Sequence, residues 1–179
     1  MREKQNFHIL TGCSGGGKST LLTALQQRGI LCVSEAGRDI VRRQEMIGGE
    51  AVPWKNGALL GEMILTHNIH NFESVAEEAR PVIFDRGIPE AVSYCSPPAL
   101  HHLKAAALCR YNKRVFVVPP WQEIFVQDAE RKRSFDDAVR EYHAQNEAYI
   151  ASGYTLLEIP KLDVDRRADF IMARLEGDC

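Results

Sequence analysis

Residues 12–19 read Gly-Cys-Ser-Gly-Gly-Gly-Lys-Ser, the spacing G-x-x-x-x-G-K-[ST], set between an apolar run and a stretch of helical periodicity. No other feature restricts the fold as strongly. Small residues let successive backbone N–H groups converge on one point, and a helix starting there adds the positive end of its dipole. The pattern therefore demands a strand, a tight loop and a helix, with an anion at the junction. It predicts a nucleoside triphosphate site. Lys18 is placed to reach the β and γ phosphates, and the Ser19 hydroxyl to ligate magnesium. The expected nucleotide-binding residues are Gly12, Cys13, Ser14, Gly15, Gly16, Gly17, Lys18, Ser19 and Thr20. Thr20 reads as a helix residue packed behind the loop. Cys13 reads as a small residue whose backbone the loop uses, with a thiol open to alkylation.

The remaining pattern alternates short apolar runs with helical stretches. Strands are expected at residues 7–10, 30–33, 82–85, 114–118 and 154–159. Helices are expected from the loop to near Gly29, from about Glu35 with Ser34 as its cap, over 54–79, 99–110, 135–151 and 163–175. In the long third helix Leu59, Leu60, Met63, Ile64 and His67 supply an apolar side, with Trp54 as an aromatic staple at its start. Val164, Ala168, Ile171 and Leu175 form the inner side of the closing helix. Such alternation argues for an α/β fold, a parallel sheet covered on both faces. No repeat, low-complexity tract or linker interrupts it, so residues 1–179 are read as one domain.

Charge then limits the partners. Lys and Arg number 22 against 24 Asp and Glu, a net charge of -2. That balance gives no global field to attract nucleic acid or anionic lipid. The five cysteines show no C-x-x-C pair and no zinc-site spacing, and their odd number fits poorly with a fully paired secreted domain. The first apolar stretch is far too short for a signal-peptide core or a membrane span. The expectation is a cytoplasmic protein without membrane attachment. His67 with His70, and His101 beside His102, join no Cys or carboxylate at ligand spacing, so zinc is not suggested.

Several other residues carry chemistry. Asp85 ends the apolar run Val-Ile-Phe-Asp as a Walker B carboxylate would, beside magnesium; the structural alternative is a helix cap. Arg86 follows it, aimed either at a phosphoryl group on the acceptor side or into a salt bridge across the sheet. Glu35 occupies the corresponding position after the second strand, and the carboxyl ends of parallel strands line one crevice. It is read as facing an acceptor hydroxyl or an attacking water, with helix-start stabilisation as the alternative. Arg38, one turn on, meets a phosphate or pairs with Glu35. The basic run Arg131, Lys132, Arg133 lies after the fourth strand; Arg131 or Arg133 is expected to engage the transferring phosphoryl group while Lys132 stays solvated. The Asn112-Lys113 pair precedes a strand, which disfavours a guanine-reading N-K-x-D and favours ATP. Residues 159–163 are the expected wall of the base site.

With Phe-His-Ile-Leu-Thr-Gly-Cys-Ser-Gly-Gly-Gly-Lys-Ser-Thr near the start, Ser-Glu-Ala-Gly-Arg-Asp-Ile-Val-Arg after the second strand and Val-Ile-Phe-Asp-Arg-Gly after the third, the chain resembles small P-loop ATPases of the "AAA domain" type. These are similar in pattern to nucleoside and nucleotide kinases and to the kinase part of bifunctional NAD-biosynthesis proteins. The resemblance covers essentially the full length. It implies a three-layer α/β/α P-loop NTPase fold, nucleotide-kinase-like, with five parallel strands in the order 2-3-1-4-5 and a mobile flap around 121–134. In deoxynucleoside kinases a glutamate after the second strand acts as base and an acidic-arginine motif follows the third; Glu35 and Asp85-Arg86 match those positions. Here the third-strand motif runs straight into Ile88-Pro89, which departs from that pattern at the acceptor pocket.

The expected function is binding of ATP with Mg2+, followed by γ-phosphoryl transfer to a small acceptor or by hydrolysis. One alternative is a nucleotide-dependent regulatory protein with slow turnover, partnered by another protein or by its own copy. Another is a nucleic-acid-associated ATPase, which would need a local basic groove that the overall charge does not promise.

Overall fold

The computed structural model describes residues 2–92, 99–125 and 134–175. Five parallel strands form the sheet: β1 (Phe7–Gly12), β2 (Leu31–Val33), β3 (Val82–Asp85), β4 (Arg114–Val118) and β5 (Thr155–Glu158). They lie in the order β2-β3-β1-β4-β5, the 2-3-1-4-5 arrangement. A second, two-stranded pair joins Arg2–Glu3 to Cys109–Arg110, and the sequence pattern had not indicated it. Counting Cys109–Arg110 in chain order relabels the last two strands of the main sheet (2-3-1-5-6) without moving them.

Seven helices accompany the strands among the described residues: α1 (Lys18–Gln27), α2 (Gly37–Met46), α3 (Gly57–Ser74), α4 (Ile88–Val92), α5 (Leu100–Leu108), α6 (Phe135–Ala151) and α7 (Val164–Leu175). Alternation along the central strands divides the core. Phe7 and Ile9 of β1, with Val82 and Phe84 of β3, face Leu60, Ile64, Phe72, Tyr142 and Tyr149. Leu10, Ile83 and Phe116 face the opposite way, onto Leu21 and Leu25 of α1 and Ala168 and Ile171 of α7. Each fully buried Leu, Ile or Phe contributes about 1.5–3 kcal/mol of transfer free energy. Both faces of the sheet are therefore held, as all-parallel sheets require.

Local chemistry explains where helices begin and end. Ser134 and Asp137 form a capping box that starts α6 at the expected residue. Asn56 caps α3 by accepting a hydrogen bond from Leu59 N at 3.0 Å, so this helix starts three residues after the expected position. Trp54 lies before it and is 65% exposed, not the packed staple expected. Leu60 and Ile64 face the core as expected, joined by Leu65, Asn68 and Phe72, whereas Leu59, Met63 and His67 point away from it. Helix α2 begins at Gly37 with no side-chain cap, so Ser34 does not play the capping role. Val164, Ala168, Ile171 and Leu175 pack inward as expected.

Candidate functional site

β1 and β4 end level, Gly12 pairing with Val118, while β3 ends two residues short of β1, with Asp85 beside Leu10. The chain turns sharply after each, leaving a cleft of about 400 Å3 between the loop at 12–17, the end of β3 and the start of α7.

The loop is a backbone device. Gly12 has φ +121, and a Cβ there would lie 2.2 Å from Val118 O, so no other residue fits. Gly17 has φ +85 and opens α1, where a Cβ would lie 2.9 Å from Arg167 Nη1. Lys18 is buried, and its ammonium donates to Gly12 O at 3.0 Å and Cys13 O at 3.4 Å. Burial first, and then Arg86, push its pKa down to about 8, against the pull of Asp85, Glu35 and Glu90. Ser19 and Thr20 are exposed and line the cleft. Thr20 is thus at the mouth and not packed behind the loop. Cys13 is buried and burial raises its thiol pKa, which removes the alkylation-prone character expected of it.

Asp85, Glu35 and Arg38 border the same cleft. Asp85 Oδ1 is buried and has no hydrogen-bond partner among the described residues, and burial raises its pKa. It is no helix cap. A buried carboxylate oxygen without a partner, beside an exposed serine hydroxyl in a glycine cradle, is a donor set suited to a magnesium–phosphate ligand. Arg86 sits in the left-handed region (φ 70), unusual for a residue with a side chain, while its N–H still bonds Leu10 O at 3.0 Å. That turn aims the guanidinium across the sheet. Its Nε lies 3.2 Å from Glu35 Oε1 and its Nη1 lies 3.1 Å from Glu90 Oε1. The salt-bridge reading of Arg86 is the one the geometry takes. Burial opposes ionisation of Glu35, but Arg86, Lys18 and Arg38 together hold its carboxyl below the ordinary value.

Three features had no readable sequence signal. Glu90 is fully buried on α4 and accepts from Thr11 Oγ1 as well as from Arg86. Tyr149 OH accepts from Gly87 N at 3.1 Å and so fixes the turn after Arg86. Arg167 reaches from α7 to donate to Gly16 O at 3.0 Å, and its guanidinium lies 5.8 Å from the centre of the Trp121 ring. Both Arg167 and Trp121 line the cleft, and Arg167 has no carboxylate partner among the described residues. Leu162 and Asp163, in the segment expected to wall the base site, line it too; Ile159 is in the core. Asn112 is occupied structurally, donating to Gln5 O and accepting from Arg114 N. Arg131, Lys132 and Arg133, and most of the expected flap, lie outside the described residues.

A family profile described as "AAA domain" matches residues 7–167. Curated protein sequences gave no match. Among solved structures, a deoxyadenosine kinase from M. mycoides with products dCMP and a flexible dCDP bound superposes with TM-score 0.60 at 16% identity, covering 96% of this chain and 99% of that one. The YorR protein of Bacillus subtilis, in complex with phosphorylated GDP, gives 0.58 at 14% identity over 95% of each chain. Shikimate kinase from Acinetobacter baumannii, with shikimate, gives 0.55 at 13% identity over 98% and 96%. At these identities the likeness establishes the fold, that of P-loop kinases.

Proposed function

The chain belongs to the AAA-domain family, and from that premise we propose that it binds Mg-ATP in this cleft and transfers the γ phosphoryl group to a hydroxyl of a small acceptor. The observation that carries the proposal is the shared cleft: Lys18, Ser19, Asp85 and Glu35 border one space, with Arg86 bridging the ends of β2 and β3 beneath it. A deoxyadenosine kinase and the YorR protein, both of the same fold and with nucleotides bound, support the nucleotide half of the reading.

The loop N–H groups and the start of α1 bind the phosphates. Lys18 gives up its carbonyl contacts and moves its charge to the β and γ oxygens. Ser19 and Asp85 would hold magnesium, which would supply neutralising charge to the phosphates. Arg167 and Trp121 flank the nucleotide on the α7 side. Glu35 accepts the proton of the acceptor hydroxyl at its carboxylate, and Arg86 keeps that carboxylate ionised and oriented until the acceptor arrives. Water would take the acceptor's place in a hydrolase, with the same groups in the same roles. Arg131 or Arg133 are proposed to approach the phosphoryl group from the segment after β4.

The test is a screen of nucleosides, nucleotides and vitamin-like alcohols with Mg-ATP, read by thermal shift and by transfer of labelled γ phosphate. The proposal expects one chemical class to raise the melting temperature in the presence of nucleotide and to carry the label. Nucleotide-dependent association with another protein, with no phosphorylated product and no turnover, would replace it by the regulatory reading.

A further inference from the structure

Outside the nucleotide cleft, Glu62 on α3 and His101 and His102 on α5 converge on one point. His101 Nε2 lies 2.7 Å and His102 Nε2 lies 3.0 Å from the same atom, Glu62 Oε1. The two imidazole centroids are 4.5 Å apart with planes at 59°. Neighbouring residues on a helix do not normally face one another, so the convergence is not a default of helical geometry. The ligand atoms of all three side chains lie within 4.8 Å of one another.

His102 supplies an independent observation. Its side chain is fully buried, yet neither ring nitrogen has a hydrogen-bond partner among the described residues. The 3.0 Å approach of Nε2 to Glu62 lacks the direction of a hydrogen bond. Buried polar groups are normally partnered, and one that is not is suited to receive a water or an ion. Here the unpartnered Nε2 lies 3.0 Å from a carboxylate oxygen that a second imidazole approaches as well.

We propose that Glu62, His101 and His102 form a site for a divalent transition-metal ion, Zn2+ in the first instance. Two imidazoles and one carboxylate match the donor set of three-ligand zinc sites that keep a fourth position for water. With bonds of 2.0–2.2 Å the ligand atoms of a tetrahedral site stand about 3.3 Å apart. The two Nε2–Oε1 distances of 2.7 and 3.0 Å must open by about 0.6 and 0.3 Å to admit the ion, a shift within side-chain rotation. Magnesium and calcium prefer all-oxygen ligands and do not compete on these terms. Both imidazoles bind in the neutral form through Nε2, with the proton on Nδ1. Glu62 and His101 are part-exposed, so the open position faces solvent, and the bound ion pins α3 to α5.

The experiment uses the metal-stripped full chain in phosphate-free buffer with millimolar Mg2+ present. Calorimetric titration with ZnCl2 is expected to show one Zn2+ per chain. Titration with CoCl2 is expected to give the intense visible absorption of four-coordinate cobalt. Glu62→Ala and His101→Ala each remove a surface side chain and leave the fold intact by circular dichroism; each is expected to weaken Zn2+ binding at least about tenfold. His67→Ala, beside His70 in a groove that Glu62 also borders, is expected to change nothing. Absence of saturable binding, a weak six-coordinate cobalt spectrum, or affinity that ignores Glu62→Ala and His101→Ala but falls with His67→Ala would overturn the site.

Discussion

Arg86 Nε lies 3.2 Å from Glu35 Oε1, an ion pair that ties together the turns after two adjacent strands at the edge of the cleft. Burial alone would raise the Glu35 pKa, and the cations around it, Arg86 foremost, hold it below the ordinary carboxylate value. Arg86→Met is therefore expected to raise the Glu35 pKa. A base must be deprotonated to act, so the acid limb of the turnover-versus-pH profile should move to higher pH relative to wild type. An acid limb that stays in place while the rate falls would assign Arg86 a role independent of Glu35.

Glu90 stands behind that pair. It is buried and accepts from both Thr11 and Arg86. Glu90→Ala leaves a buried hydroxyl and part of a guanidinium without their acceptor, which costs about 1–3 kcal/mol for each group so exposed. Urea unfolding should show a loss of unfolding free energy of that order, with the slope unchanged. Turnover should fall as well, since Arg86 loses one of its two anchors. A stability equal to wild type would show that water replaces the carboxylate.

The Lys18 ammonium is held near a pKa of about 8 by burial and by Arg86. The drop from 10.5 corresponds to about 3 kcal/mol against the charged form. Triphosphate requires that charge, so affinity is complete below pH 8 and is lost as pH rises through it. Between pH 7 and pH 9 the Kd for Mg-ATP is expected to weaken about tenfold by this group alone. Lys18→Ala should bind far more weakly at pH 7, with little change in the fold, and should flatten the pH dependence. Calorimetry at the two pH values checks both statements.

These residues differ in how readable they were from the chain. The loop at 12–19, the five strands and the bounds of α6 follow from local pattern, because glycine spacing, apolar runs and a capping box act over a few residues. Asp85 and Glu35 were readable because strand ends in a parallel sheet share one edge. Arg167 was not: it meets Gly16 across 151 positions, and an arginine in an amphipathic helix carries no local mark of where its head goes. Glu90 and Thr11 meet across 79 positions, inside the core, where sequence composition favours apolar residues. His101 and His102 gained their carboxylate from α3, 39 positions away, a juxtaposition that only the packing of α3, α4 and α5 creates.

Asp85 has a buried oxygen without a hydrogen-bond partner among the described residues. Asp85→Asn removes the charge and keeps the volume. Stability without nucleotide should be unchanged or slightly higher, because a desolvated anion has been removed. The magnesium dependence of nucleotide binding should weaken. A mutant with wild-type magnesium titrations would show that Asp85 does not serve the metal.

Glu35 is proposed to act on the acceptor side of a bound Mg-ATP. General-base assistance is worth about 10²–10⁴-fold in rate. The direct measurement is a single-turnover reaction with γ-labelled ATP, wild type beside Glu35→Gln, with the Kd for Mg-ATP and the melting temperature taken on the same samples. The account predicts a Kd within a few-fold of wild type and a rate constant lower by two orders of magnitude or more. A rate constant equal to wild type with a lowered melting temperature would contradict it and make Glu35 a scaffold residue.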